Sequence, residues 1–297
     1  MKKFFAIWMV AGFVCCVVIG GRAEGQYKEY RSHVGMTVGG GLHTLRFEPV
    51  KPESGESMSL EFGNGVDLAL GVEMKYFWSD HVGFGAGVGL TKARASVTYE
   101  GTETYEGLTH PDNTAVSYDL STHYEGWKES QNVTLLSIPV EMMFRTKRGG
   151  SGKCIMGAAG VEIELPCKAS YESRSGSFTT TGYFAGTGHT VTSQPQHGFS
   201  TYERKRRGDE KNLGVGLSLK AEAGMRWDVH KQSGVYVGVY AVYGLTSILR
   251  EGDRRPLVEL NPQDASEIIY NGTLGSHRMD GVKVLCVGVK VGVDVGG

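Results

Sequence analysis

The chain has 297 residues, with 31 Lys and Arg against 32 Asp and Glu, a net charge of −1 and 40% hydrophobic residues. That balance excludes a basic nucleic-acid surface, and 44 glycines without a three-residue period exclude a collagen-like fibre. Beyond the N-terminus no apolar run reaches the roughly 20 residues that a spanning helix needs.

In chain order, Lys2 and Lys3 precede an uncharged run from Phe4 to Ile19, and Gly21-Arg22-Ala23 supplies small residues around a cleavage point. This predicts a signal peptide over 1–23 and a mature, exported chain over 24–297. A lipoprotein reading of Cys15 and Cys16 is disfavoured because Phe13-Val14 stand where a small residue is expected. Removing Lys2, Lys3 and Arg22 shifts the net charge from −1 to −4 and leaves Cys154, Cys167 and Cys286, an odd number that argues against a disulfide framework.

Period-two alternation then dominates. A first segment over 33–47 is interrupted by Gly39-Gly40-Gly41. Val66, Leu68, Leu70, Val72, Met74, Tyr76 and Trp78 share one face, and after Ser79-Asp80 the series Val82, Phe84, Ala86, Val88 and Leu90 continues it, which predicts a hairpin. Leu136 to Phe144, Ile155 to Leu165, Leu213 to Val229, Val235 to Leu245 and Leu285 to Val295 follow the same rule. The predicted strands are therefore 33–47, 62–78, 81–99, 132–145, 153–166, 213–228, 234–248 and 281–295.

The joins between them alternate in length. Those at 48–61, 100–131, 167–212 and 249–280 are long, whereas 79–80, 146–152 and 229–233 are short. This layout predicts an all-β fold: an eight-stranded antiparallel up-and-down transmembrane β-barrel in the cell outer membrane, with long outer loops and short periplasmic turns. Hydrocarbon offers no hydrogen-bond partner, so such a sheet must close on itself. Tyr76, Trp78, Trp227 and Tyr243 near strand ends fit interfacial aromatic girdles.

The opposite parity carries Glu73, Lys75, Glu141, Arg145, Glu162, Glu164, Lys220, Glu222, Arg226, Asp228, Lys290 and Asp294. An eight-stranded barrel has room inside only for side chains, so these charges are expected to pair across the lumen and plug it.

Leu136-Ser137-Ile138-Pro139-Val140-Glu141, Gly157-Ala158-Ala159-Gly160 and Tyr240-Ala241-Val242-Tyr243-Gly244-Leu245-Thr246 resemble recurrent strand motifs of the PorT-like outer-membrane β-barrel family. The resemblance covers nearly all of the mature chain in hairpin order. It implies an outer-membrane barrel and, for some relatives, a part in protein secretion. It supplies no catalytic residues.

Chemistry-bearing motifs are weak. Ser32-His33 and Ser276-His277 are neighbours, and on a strand neighbours point to opposite faces, so they do not form nucleophile–base pairs. The nine histidines lack metal-ligand spacing, Cys154 and Cys167 lack a ligand motif, and no cofactor is implied. Gly83, Gly85, Gly87 and Gly89 mimic a phosphate loop but sit inside a strand with no helix to follow. Among the loops, 100–131 holds Glu100, Glu103, Glu106, Asp112, Asp119, Glu125 and Glu129 with Tyr105, Tyr118, Tyr124 and Trp127, an expected acidic, aromatic outer surface. The run Arg204-Lys205-Arg206-Arg207 reads as a solvated charge cluster, with lipid phosphates or the acidic loop as its alternative partners.

The sequence thus predicts a non-enzymatic barrel with a structural or surface-interaction role. Outer-membrane lipids and envelope or secretion proteins are the expected partners, and nucleic acid is not. A narrow porin-like channel is the alternative, and a lipid-modifying enzyme the remote one.

Overall fold

A computed structural model describes residues 31–50, 57–110, 113–146, 153–203, 205–210, 212–230, 232–250, 252 and 255–296. The expected signal peptide at 1–23, the turn residues 147–152 and Arg204 lie outside the described residues. Eight strands carry the fold: β1 (Ser32–Pro49), β2 (Gly65–Phe77), β3 (Val82–His110), β4 (Asn113–Arg145), β5 (Lys153–Phe184), β6 (Gly216–His230), β7 (Ser233–Gly244) and β8 (Met279–Gly296). Each pairs antiparallel with its sequence neighbour. β8 returns to β1, from His33 opposite Gly296 to Phe47 opposite Val282, so the ring closes and no barrel edge is left unpaired.

The glycines that seemed to interrupt β1 are continuous ladder, because they sit where backbones and rings crowd. A Cβ on Gly41 would lie 2.4 Å from the Val287 carbonyl oxygen, and one on Gly39 would lie 3.3 Å from the Tyr240 ring. The glycines of β3 serve the lumen similarly: at Gly87 a Cβ would meet the Val72 carbonyl at 2.7 Å and the Glu73 side chain at 3.1 Å. Close packing, not phosphate binding, explains that run.

Two segments expected as loops are largely strand. β3 runs on to His110, β4 begins at Asn113, and β5 extends to Phe184. The physical reason is a reversal of parity: above the level of Ala93, Val133 and Ala169, the inward face becomes the apolar one, with Val97, Tyr99, Leu120, Tyr124, Trp127 and Phe178 buried. This three-stranded extension needs a cover. The connection between β7 and β8 supplies it as a hairpin, Val258–Asn261 with Asp264–Tyr270, burying Val258, Leu260, Ile268 and Tyr270. The short strand Ser59–Gly63 adds to the β3 edge. The molecule is thus a barrel with a packed head at one end and short turns at the other.

Candidate functional site

On all eight strands the outward side chains at barrel level are apolar and exposed: Met36, Leu68, Leu90, Met142, Ile155, Leu219, Val239 and Val289 are examples, with Met36 at 71% and Val289 at 59% exposure. Leaving each such side chain in water forgoes about 1.5–3 kcal/mol, and a continuous belt of them marks a surface in hydrocarbon. A closed hydrogen-bonded wall wearing such a belt has its polar backbone satisfied and its greasy face outside. The chain is a transmembrane β-barrel of the outer-membrane type. Among the described residues no helix is long and apolar enough to cross a membrane; the strands make the crossing.

No family model matches the chain, and no curated protein matches it. Solved structures similar to it include a Neisserial surface protein, NspA, at 10% identity over 90% of this chain and 97% of that one, TM-score 0.36. Others are the outer membrane protein OprG of Pseudomonas aeruginosa, at 14% identity over 89% and 96%, TM-score 0.31, and a major outer membrane protein of Thermus thermophilus, at 8% identity over 89% and 98%, TM-score 0.33. The assignment rests on the closed ring and its apolar belt, not on these scores.

The lumen is stacked in layers. Near the short turns, the Arg226 Nη2 donates to Asp294 at 2.7 Å and Arg226 also pairs with Asp228. Arg145 lies 4.0 Å from the Phe77 ring centroid and its Nε donates to the Asp80 carbonyl at 2.9 Å. Phe77, Met143, Cys154, Met156 and Tyr236 fill the space between. The next layer holds three lysines and four glutamates. Lys290 reaches Glu73 at 2.8 Å and also Glu222; Lys75 reaches Glu73 at 3.5 Å; Lys220 reaches Glu141 at 3.1 Å and Glu162 at 3.6 Å. The Tyr236 ring underlies Lys75 and Lys290 at 5.2 and 5.6 Å. Above it, Asp67 accepts from the Tyr240 hydroxyl at 3.2 Å and the Cys286 thiol at 3.1 Å.

Of the twelve charged residues expected in the lumen, eleven are buried and Asp228 is half-buried. The structure brings ten of them into ion pairs with one another, leaves Glu164 buried beside a cavity without one, and turns Arg145 to an aromatic ring and a carbonyl. Lys220 reaches carboxylates on β4 and β5 and Lys290 reaches carboxylates on β2 and β6, so these pairs brace the ring across its interior, while Lys75 pairs with Glu73 on its own strand. The cavity, about 70 Å³ and bordered by Asp67, Glu164, Lys220 and Tyr240, has room for only a few waters. Among the described residues no disulfide joins Cys154, Cys167 or Cys286.

The head corrects part of the expectation of an acidic, aromatic outer surface: Glu100, Glu106 and Glu125 are exposed, but other members of the set turn inward. Glu103 and Glu129 are fully buried, as are Tyr124 and Trp127, because they share the inward parity with Tyr99 and Val97. Glu103 accepts from the Tyr124 hydroxyl at 2.6 Å, the Tyr105 hydroxyl at 3.1 Å and the Arg278 Nε at 2.8 Å. Glu129 accepts from the Thr273 amide at 2.8 Å and from the Thr273 and Tyr270 hydroxyls and the Gln131 amide. The Trp127 indole donates to the Tyr270 hydroxyl at 2.8 Å. Buried tyrosines at period-two spacing in 97–127 were the available signal; the density of acids there pointed the other way. In the basic run, Arg206 lies 5.6 Å from the Tyr202 ring, and Arg207 takes part in a short strand opposite Glu172.

The two neighbouring Ser–His sequences sit in different surroundings. His33 packs edge-on to Phe77 at 6.1 Å, Ser276 donates to the Thr273 carbonyl at 2.9 Å, and His277 packs against Tyr105 at 5.0 Å.

Burial of the head carboxyls has a pH signature. Burial pushes the Glu129 carboxyl up against its four donors, and burial together with the Glu129 charge raises Glu210 from 4.5 to about 8. Between those values the folded head holds a proton that the unfolded chain releases, so its stability falls as pH rises from about 4.5 to about 8 and levels off beyond. Hydrogen exchange of 258–270 is expected to quicken over that range, and Glu210→Gln to flatten the dependence. A head equally protected at both ends of the range in the parent protein would contradict this.

Proposed function

We propose that the chain is a non-enzymatic outer-membrane protein whose barrel is a plugged anchor and whose work is structural or interactive, done by the head it presents outside the cell. The observation that carries this reading is the double filling of the interior. An ion-paired layer occupies the barrel, and an aromatic core with the hairpin of 258–270 occupies its outer end. Desolvated, mutually paired charges are costly to separate, so the plug does not move aside for a solute. The PorT-like affiliation and a secretion-associated role belong to the same proposal. Two of the motifs that suggest them lie on adjacent strands and meet at one rung, Glu141 on β4 opposite Gly160 on β5.

The test is single-channel recording in a planar bilayer. Inserted protein is expected to show no sustained conductance steps, and a long-lived open level would favour a narrow channel and overturn the plug.

A further inference from the structure

The apolar belt ends abruptly beside one stretch of wall. The β2–β3 ladder runs from Phe77 opposite Gly83 to Leu68 opposite Lys92, and pairing resumes only with Gly63 opposite Ser96. Across this break lies a cleft of about 610 Å³, bordered by Val66, Leu68, Lys92, Arg94, Lys128 and Arg174. Val66 and Leu68, 67% and 56% exposed, continue the lipid-facing belt into it.

The four cations come from three strands and share the outward face. Lys92 and Arg94 follow Leu90 at period two on β3; Lys128 stands opposite Thr98 on β4; Arg174 stands on β5 at the irregular register beside Lys128. All four are exposed, and among the described residues none makes an ion pair or a side-chain hydrogen bond. Asp67 also borders the cleft but turns inward to Tyr240 and Cys286. Glu61, Glu100 and Glu172 are the nearby acids on the outward face by register, and among the described residues no ion pair joins them to these cations. Four unmatched cations held together repel one another, which an anion would relieve.

We propose that this cleft binds the phosphorylated headgroup of an outer-leaflet lipid, the cations gripping the phosphate while Val66 and Leu68 meet the top of its acyl chains. A soluble anion would use the cations alone. The apolar floor, continuous with the belt, selects an amphiphile whose head lies at the membrane surface. The proposal rests on the transmembrane reading of the barrel.

The test reconstitutes the full chain in phosphatidylcholine vesicles with and without phosphatidic acid, a phosphomonoester lipid, and reads retained lipid by native mass spectrometry. Failure to float with the vesicles would sink the barrel itself and this site with it; everything else bears on the site alone. The parent protein is expected to retain phosphatidic acid over phosphatidylcholine by about tenfold or more, on the scale of a few cations at a membrane surface. Arg94→Gln with Lys128→Gln should bring that ratio close to parity. The control Lys153→Gln with Arg250→Gln removes the same charge at exposed positions off the cleft and should leave the ratio unchanged. Heat-modified migration on gels verifies that both variants are folded. Equal ratios in the parent and the cleft variant, or equal loss in the control, would overturn the proposal. So would release of the lipid by inorganic phosphate at matched concentration, which would make the cleft an anion site and not a lipid site.

Discussion

Lys290→Ala is expected to destabilise the barrel by about 3–5 kcal/mol, because it leaves the carboxylates of Glu73 and Glu222 buried with their shared cation gone. Lys290 is only 6% exposed, so water does not take over its role. Glu73 keeps Lys75 at 3.5 Å, which moderates the loss on that side; among the described residues Glu222 has no second ion pair. The cost therefore falls mainly on an orphaned charge and not on lost packing. Combining Lys290→Met with Glu73→Gln and Glu222→Gln removes the charges together and should recover most of the stability, since a neutral, space-filling layer costs less than a broken ionic one. Urea unfolding in vesicles reads both. A change below about 0.5 kcal/mol for Lys290→Ala would mean a wet lumen in which solvent screens these groups.

Trp127→Ala is expected to cost about 3–5 kcal/mol, the usual range for emptying a large aromatic site, and to confine that cost to the head. Its ring lies 4.9 Å from the Phe178 centroid and 5.6 Å from that of Tyr270, while its indole N–H holds the Tyr270 hydroxyl that in turn reaches Glu129. Removing it strips the hairpin of 258–270 of its main anchor and leaves the Glu129 site loosened. Hydrogen exchange should therefore accelerate by orders of magnitude in 258–270 and stay slow in β8. Trp127→Phe keeps a ring and loses one hydrogen bond, with a loss nearer 1 kcal/mol. Uniform acceleration through β8 would show that head and barrel unfold as one unit.

The barrel was legible because a membrane wall leaves its signature in single residues: outward Val287, Val289, Val291 and Val293 against inward Gly288, Lys290 and Gly292. The lumen charges were legible from the same parity. Their partners were not, since Lys290 meets Glu222 from β6 across β7, a contact between strands that do not pair with each other in the wall. The head escaped for a different reason. In 97–131 period two persists, but the apolar set changes side once the wall leaves the membrane, so a rule tuned to outward grease reads the segment as polar loop. Glu103 and Glu129 deepened the error, because buried carboxyls with three or four donors look in sequence like surface acids. The cleft cations were hidden too: Lys92, Arg94, Lys128 and Arg174 are spread over 83 positions of sequence and meet only through the registers of β3, β4 and β5.

The measurement closest to the central claim is a spin-label scan of β8 in vesicles, with Cys154, Cys167 and Cys286 first replaced by serine. Labels at positions 287, 289, 291 and 293 should be relaxed by oxygen, which concentrates in hydrocarbon, and shielded from a water-soluble nickel chelate. The inward face is read at the native Cys286 thiol, 3% exposed, with only Cys154 and Cys167 replaced: it should resist a water-soluble maleimide in the folded protein, because that face is packed against the filled lumen. Outward labels in hydrocarbon and a shielded inward thiol are the result expected of a plugged barrel in a membrane. Rapid modification of Cys286 in the folded protein would contradict the plug, and nickel access at 287, 289, 291 and 293 would contradict the membrane barrel itself.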